Sequence, residues 1–177
     1  LGGVIPVRFR DFGCEPSFVS LEDDDVVVAT SVSSTRADRE VSKNVNKSHI
    51  EPWLTVPEEV TGEAHFFTVW KNHVIVGETV LWGFTEGDED SYVCFISYWV
   101  DRNYVNKGVG TKAVALCVKH AFDNLNVDRV EAAIQPENFA SSRLAEKVGF
   151  KKITVIPDFF RVGGVKTPHD LWAIDRD

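Results

Sequence analysis

The sequence predicts an α+β domain (α/β by looser use) built on a mixed sheet, and three observations predict it. Val93 to Val100 is β-branched and aromatic on both faces, as a central strand covered on both sides should be. A glycine loop and an amphipathic run follow it at once, which makes a strand–loop–helix unit. Ala64–Trp70 and His73–Trp82 are strand-like runs joined by Lys71-Asn72, which reads as an antiparallel hairpin.

Taken in order, Val4 to Phe9 alternates moderately and is expected to be an edge strand with Arg8 and Arg10 facing out. Cys14 to Ser20 reads as a loop. The charge run from Glu22 to Asp25 reads as a solvated turn before the strand Val26–Ala29. Ser31 to Ser48 is polar, with a short helix expected over Ala37 to Val41. Pro57-Glu58-Glu59 looks like a helix start, with Thr55 as its cap. Gly77 marks a bulge or a close backbone approach in the second hairpin strand. His65 and His73 read as hairpin residues, surface or partly packed, rather than catalysts. Glu86 to Asp90 reads as a solvated turn.

Asp101 to Val105 forms the next turn, and the loop runs Asn106-Lys107-Gly108-Val109-Gly110-Thr111. The helix after it carries apolar Val114, Cys117, Val118, Ala121 and Phe122 on one side. Glycines let a backbone come close to a ligand, and the first turn of a helix offers unpaired N–H groups and a positive dipole end. The loop lacks a Gly-Lys-Ser/Thr ending, so it is not a P-loop. It lacks a third glycine and an acidic residue at the end of the next strand, so it is not a dinucleotide fingerprint. Val130 to Gln135 is the next strand, stopped by Pro136. Asn138 stands at a helix N-cap, Ala140, Leu144 and Val148 line one face of that helix, and Gly149 ends it before Phe150.

Gly-x-Gly, helix, strand, Asn138-Phe139-Ala140-Ser141 and Lys147-Val148-Gly149-Phe150, with the late His169-Asp170 before a strand at Leu171–Ile174, form one block. That block resembles the GNAT superfamily of acetyl-CoA-dependent N-acyltransferases. Within it, the pattern is similar to the ribosomal-protein alanine N-acetyltransferases of the RimJ/RimL kind. The resemblance is good from about Glu63 to Ile174 and poor before that. It implies a mixed, mostly antiparallel sheet flanked by helices on both faces. It also implies a first strand and a helix pair over the acceptor groove in the N-terminal third.

The resemblance further implies acetyl-CoA as co-substrate. Val105, Asn106, Lys107, Gly108, Val109, Gly110 and Thr111 would form the pyrophosphate cradle. Backbone groups of Tyr98, Trp99 and Val100 would meet the pantetheine arm where the central strand splays from its neighbour. Asn138 would bond a pantetheine amide, besides capping its helix. Ser141 would protonate the leaving thiolate, with Tyr98 as a second catalytic candidate. Lys107 and Lys112 suit CoA phosphates and equally suit a solvated first turn. Two departures stand out. Val105 occupies a position where the family has Gln or Arg, and Ala145 a position where many members carry a Tyr acid. The general base stays open among Glu78, Tyr98, Asp101, Glu131 and a water chain. Trp53, Trp82, Phe84 and Tyr98 are candidate walls of the acceptor groove.

With 177 residues, a single domain spanning 1–177 is expected. The net charge of −8 argues against nucleic acid as a partner. Cys14, Cys94 and Cys117 are odd in number and lack Cys-x-x-Cys spacing or a His cluster, which argues for reduced thiols and against a metal site. No apolar run reaches spanning length and no signal peptide is visible, so a cytoplasmic protein without membrane attachment is expected. The chain begins at Leu1 and holds no Met, so the native start is expected to lie outside it. The acceptor is expected to be a protein N-terminal α-amine. A small-molecule amine (aminoglycoside, polyamine or amino-acid-like toxin) is the second reading, and a non-catalytic CoA-binding module the third. A homodimer is compatible with all three.

Overall fold

The computed structural model describes residues 20–23, 26–30, 64–72, 74–88, 91–162 and 165–177. The described elements are β1 (Ser20–Asp23), β2 (Val26–Thr30), β3 (Ala64–Lys71), β4 (Val74–Glu86), β5 (Tyr92–Val100), α1 (Val109–Asn124), β6 (Arg129–Ile134), α2 (Phe139–Val148), β7 (Lys151–Val162) and β8 (Val165–Asp175). The strands make one sheet in the order β1-β2-β3-β4-β5-β6-β8-β7. Every neighbouring pair is antiparallel except β5–β6, which α1 connects as a crossover helix. The expected α+β mixed sheet is therefore what the chain forms.

The hairpin turn at Lys71-Asn72 is where the sequence puts it, and Asn72 adopts the left-handed conformation (φ 49°) that Asn tolerates. The register of β3 against β4 shifts at Val69/Trp70, beside Gly77. A Cβ on Gly77 would stand 2.4 Å from the Trp99 carbonyl oxygen, so the close approach foreseen there is to β5.

The core lies between the sheet and α1. Val109, Ala113, Val114, Cys117, Val118, His120 and Ala121 of that helix are buried, at the three- and four-residue spacing that keeps one face inward. They meet Phe67, Val69, Leu81, Cys94 and Ile96 from the strands. Burying a large apolar side chain contributes roughly 1.5–3 kcal/mol, which offsets the roughly 1–2 kcal/mol of backbone entropy lost per ordered residue. His120 is the one member of the buried face that its residue type did not announce.

Helix α2 packs on the same sheet face. A Cβ on Gly110 of α1 would touch Leu144 of α2 and Val100 of β5, and one on Gly149 would touch Ile174 of β8. Asn138 caps α2, its Oδ1 accepting the Ser141 N–H at 3.2 Å, and Gly149 closes it at φ 109°. The predicted inward face is shifted: Ala140 is exposed and Ala145 is buried, because α2 leans on α1 as well as on the sheet.

Three further expectations change. Glu22 and Asp23 belong to β1, paired with Val27 and Val26, rather than to a turn. β4 continues past Trp82 to Glu86, with a register shift between Trp82 and Thr85 at Gly83 (φ 65°). The C-terminal strands are longer than Leu171–Ile174: β7 and β8 form a hairpin of twelve and eleven residues. The strand over Val4 to Phe9, the loop after Cys14, the helices expected near Ala37 and Pro57, Trp53 and His73 lie outside the described residues.

Candidate active site

The parallel pair β5–β6 is short. Val93, Cys94 and Phe95 pair with Arg129, Val130 and Glu131, and the pairing then stops. Beyond Phe95, β4 is the one strand paired with β5 among the described residues, while β6 turns to β8 as far as Ile134–Asp170. The sheet opens into a wedge, and the edge of Ile96–Val100 that faces it keeps its main-chain donors and acceptors for an extended ligand. The splay implied for Tyr98, Trp99 and Val100 is present.

Side chains of β5 alternate across this wedge. Cys94, Ile96, Tyr98 and Val100 face the helices, since Tyr98 is opposite Thr79 and Thr79 Oγ1 lies 2.8 Å from Cys117 Sγ of α1. Phe95, Ser97 and Trp99 face the other way.

On the helix side, the N-termini of α1 and α2 flank the opening. Gly108 is the N-cap of α1, with φ 79°, and a Cβ placed on it would meet nothing within 4 Å. The intrahelical ladder begins with Lys112 N–H to Gly108 O at 3.0 Å, so the amides of Val109, Gly110 and Thr111 precede it. Three adjacent N–H groups, a positive dipole end and an open approach over Gly108 suit an anion. Gly110 has a different task. A Cβ there would fall 2.7 Å from Leu144 Cδ1 and 3.3 Å from Val100 Cγ2, so this glycine lets β5, α1 and α2 meet. Asn106 also takes positive φ (58°), Val105 is exposed at the rim, and the Lys107 ammonium stands 5.7 Å from the Tyr104 ring centre.

Tyr98 and Ser141 come together across the wedge. The Tyr98 hydroxyl donates to the Ser141 carbonyl oxygen at 3.4 Å. Burial pushes the phenol up to about 12, with hydrogen bonding at Ser141 opposing that by less. Tyr98 therefore stays protonated at neutral pH and is a proton donor, which removes it from the candidate bases. Asp101 is occupied too: its carboxylate accepts the Asn103 N–H at 2.8 Å, and its own N–H donates to Val76 O at 2.7 Å. Ala145 is 2% exposed and belongs to the core, so the helix position that lacks a Tyr here does not look into the wedge.

On the far side, an aromatic cluster closes the vertex. Trp82 stacks on Phe95 at 5.0 Å and donates through Nε1 to Ser97 Oγ at 2.9 Å. The β7–β8 hairpin folds across to it, bringing Phe159 to 5.8 Å from Phe95 and Phe160 to 5.6 Å from Trp82. His169 is 5% exposed, edge-on to Phe160, with Nδ1 3.0 Å from Thr167 O. Asp170 turns to the helix side and pairs with Lys152 at 2.6 Å. Glu131 is half-buried beside the vertex, and burial, more than the charge of nearby Asp175, raises its carboxyl against the opposing pull of Arg129. Of the foreseen groove walls, Trp82 and Tyr98 border the wedge. Phe84 instead packs on Tyr92 and His65. Sequence reasoning missed Phe159 and Phe160. The Gly163-Gly164 pair after them was the available signal of a hairpin that returns them to the sheet.

Residues 17–151 match the family model of the acetyltransferase (GNAT) domain. The chain belongs to the GNAT acetyltransferase family. A probable N-acetyltransferase, YjcK of Bacillus subtilis, is 39% identical over 80 residues, which are 45% of this chain and 44% of that protein. The match thus spans less than half the length of this relative. Among solved structures, a ribosomal-protein-S5-alanine acetyltransferase from Vibrio fischeri superposes with a TM-score of 0.72 at 21% identity, over 90% of this chain and 97% of that one. RimJ of Mycobacterium smegmatis, solved with CoA-disulfide, superposes with a TM-score of 0.69 at 22% identity, over 89% and 86%. These likenesses establish the GNAT fold around the wedge. Among the described residues, no helix is long and apolar enough to cross a membrane.

Proposed function

We propose that this GNAT protein transfers acetyl from acetyl-CoA to the α-amine of a protein or peptide. The observation that carries the reading is the wedge itself, with the Gly108 cradle and the Tyr98–Ser141 pair on one side of it and an aromatic-walled approach on the other. The amides of Val109 to Thr111 hold the pyrophosphate. The free edge of Ile96–Val100 and the amide nitrogen of Asn138 hold the pantetheine arm, and a main-chain N–H of that edge polarises the thioester carbonyl. Ser141 and Tyr98 supply protons to the departing thiolate. The resemblance to an S5-alanine acetyltransferase supports an α-amine over a lysine, whose pKa near 10.4 asks for a stronger base than an α-amine near about 8.

The aromatic cluster of Trp82, Phe95, Phe159 and Phe160 favours a second reading, a flat or apolar small amine. One experiment separates them. Acetyl-CoA turnover is measured with a peptide bearing both an α-amine and a lysine, and with a panel of small amines. Fragmentation mass spectrometry locates the acetyl group. Acetyl on the α-amine is expected. Acetyl on lysine alone removes the first reading, turnover of small amines alone selects the second, and CoA binding without turnover reduces the protein to a binding module.

A further inference from the structure

We propose that His169 is the general base that takes the proton from the acceptor amine. The inference rests on the acetyl-transfer reading above and names a residue that reading left open.

His169 follows the sheet past the point where β6 ends. Asp170 is the last residue of β8 paired with β6, opposite Ile134, so His169 stands at the mouth of the wedge rather than beside its closed end. Its parity along β8 is that of Ala173, which pairs with Glu131, so its ring lies on the face opposite the two helices. That face is the free side of the thioester, because the cradle and the thiolate donors occupy the other. Phe159 and Phe160, at 6.0 and 5.6 Å from the ring, join His169 to the Trp82–Phe95 stack at the vertex.

The ring is oriented for proton acceptance. Its Nδ1 is 3.0 Å from the Thr167 carbonyl, which accepts and never donates. Nδ1 therefore carries the hydrogen in the neutral ring, and Nε2 carries the lone pair. Among the described residues, the buried nitrogens sealed off without a partner are His120 Nδ1 and Trp172 Nε1. Among the described residues, the hydrogen bond of the His169 ring is the one at Nδ1, which leaves Nε2 for the amine.

Of the candidate carboxylates, Glu78 shares the face of His169, being opposite Trp99, but stands on β4, with β5 between it and the wedge. Asp101 caps its turn, and Glu131 stands level with Phe95 where β5 and β6 are still paired. The charged neighbours of His169 along the hairpin are few. Asp170 faces away and is held by Lys152, Asp158 is exposed beside Phe159, and Lys166 is exposed beyond Thr167. Phe159 and Phe160 pack against its ring.

The proton count closes. Nε2 removes one proton from the ammonium and passes it to solvent. The amine lone pair then forms the N–C bond while the carbonyl π pair moves to oxygen. Nε2 takes the second proton from the now positive nitrogen, the C–S bond breaks as the carbonyl reforms, and the thiolate is protonated from Ser141 or Tyr98, which solvent reprotonates. The products are the amide, the free thiol and one net proton.

The test is the pH profile of kcat/KM for wild type and His169→Gln on an amine the wild type acetylates, with CoA affinity by calorimetry. His169→Gln should lose about 10²-fold or more near pH 7, keep its CoA affinity, and recover toward wild type as the amine deprotonates unaided. A loss equal at every pH, or no loss in a folded variant, overturns the proposal while leaving acetyl transfer intact. A wild type that acetylates no amine overturns the acetyl-transfer reading and this one with it. Should His169→Gln fail to fold, nitrogen-15 NMR of the wild-type imidazole decides: hydrogen on Nδ1 in the neutral ring supports the role, and hydrogen on Nε2 overturns it.

Discussion

The Tyr98 hydroxyl and the Ser141 main-chain carbonyl, 3.4 Å apart, join the free edge of β5 to the first turn of α2. A protonated phenol and a serine hydroxyl thus share the helix side of the wedge. Ser141→Ala should lower kcat with CoA affinity unchanged, since a proton delivered to the thiolate is needed only as charge develops on sulfur. Tyr98→Phe should lower it as well, each within the roughly 10²–10⁴-fold range of general acid assistance. Because the two groups act at one locus, the double variant should lose less than the product of the single losses. Steady-state rates of the four proteins check this, and strictly multiplicative losses would assign the residues to separate steps.

The two loop glycines should fail in different ways. Gly108→Val points its side chain into the open approach and strains a φ of 79°, so CoA affinity should fall at least tenfold, about 1.4 kcal/mol. Gly110→Val collides with Leu144 and Val100, so its main effect should be a stability loss of about 1–3 kcal/mol. Calorimetry with CoA and urea melts of both variants separate the effects. Unchanged CoA affinity in a folded Gly108→Val protein would remove the cradle.

His120 should make the fold acid-sensitive. Its ring is 4% exposed, it packs edge-on to Phe67 at 5.4 Å, and its Nδ1 has no partner among the described residues. Burial, then the charge of His65, pushes its pKa below the usual value. The unfolded chain therefore takes up the proton first as pH falls below about 6.5, and stability drops from there to the lowered native value. His120→Leu should flatten the change in urea midpoint between about pH 7 and about pH 5. An unchanged slope would assign the sensitivity to another group.

Cys94 and Cys117 should be inert. Burial holds both thiols at about 12, Glu131 adding to the effect at Cys94 and Thr79 reducing it at Cys117. Pulse alkylation of the native protein followed by peptide mapping should leave both unmodified, and the same pulse in denaturant should label both. Rapid labelling of Cys117 in the native state would mean that α1 opens locally from the sheet.

The sequence was most readable where local chemistry dictates local shape. The Asn138 cap, the Gly149 stop, the Asn72 turn and the apolar face of α1 each follow from one residue's conformational preference or from helical spacing. What stayed hidden depends on partners far along the chain. Phe159 and Phe160 look like ordinary strand residues until the β7–β8 hairpin lays them on Trp82 and Phe95. Asp101 reads as a base until its turn is seen to use the carboxylate. Gly108 and Gly110 are alike in sequence and opposite in role, because one faces open space and the other a leucine two elements away.

That hairpin also divides the molecule's chemistry by chain segment. Among the described residues, the groups proposed to hold and discharge the donor, from Tyr98 through Gly108 to Ser141, come before Gly149, while Phe159, Phe160 and His169 come after it. On the proposed reading, the residues of this hairpin that face away from the helices can change to suit a different amine while Trp172 and Ile174 keep the donor side packed. On that reading, exchanging Lys151 to Asp175 between relatives should shift acceptor preference.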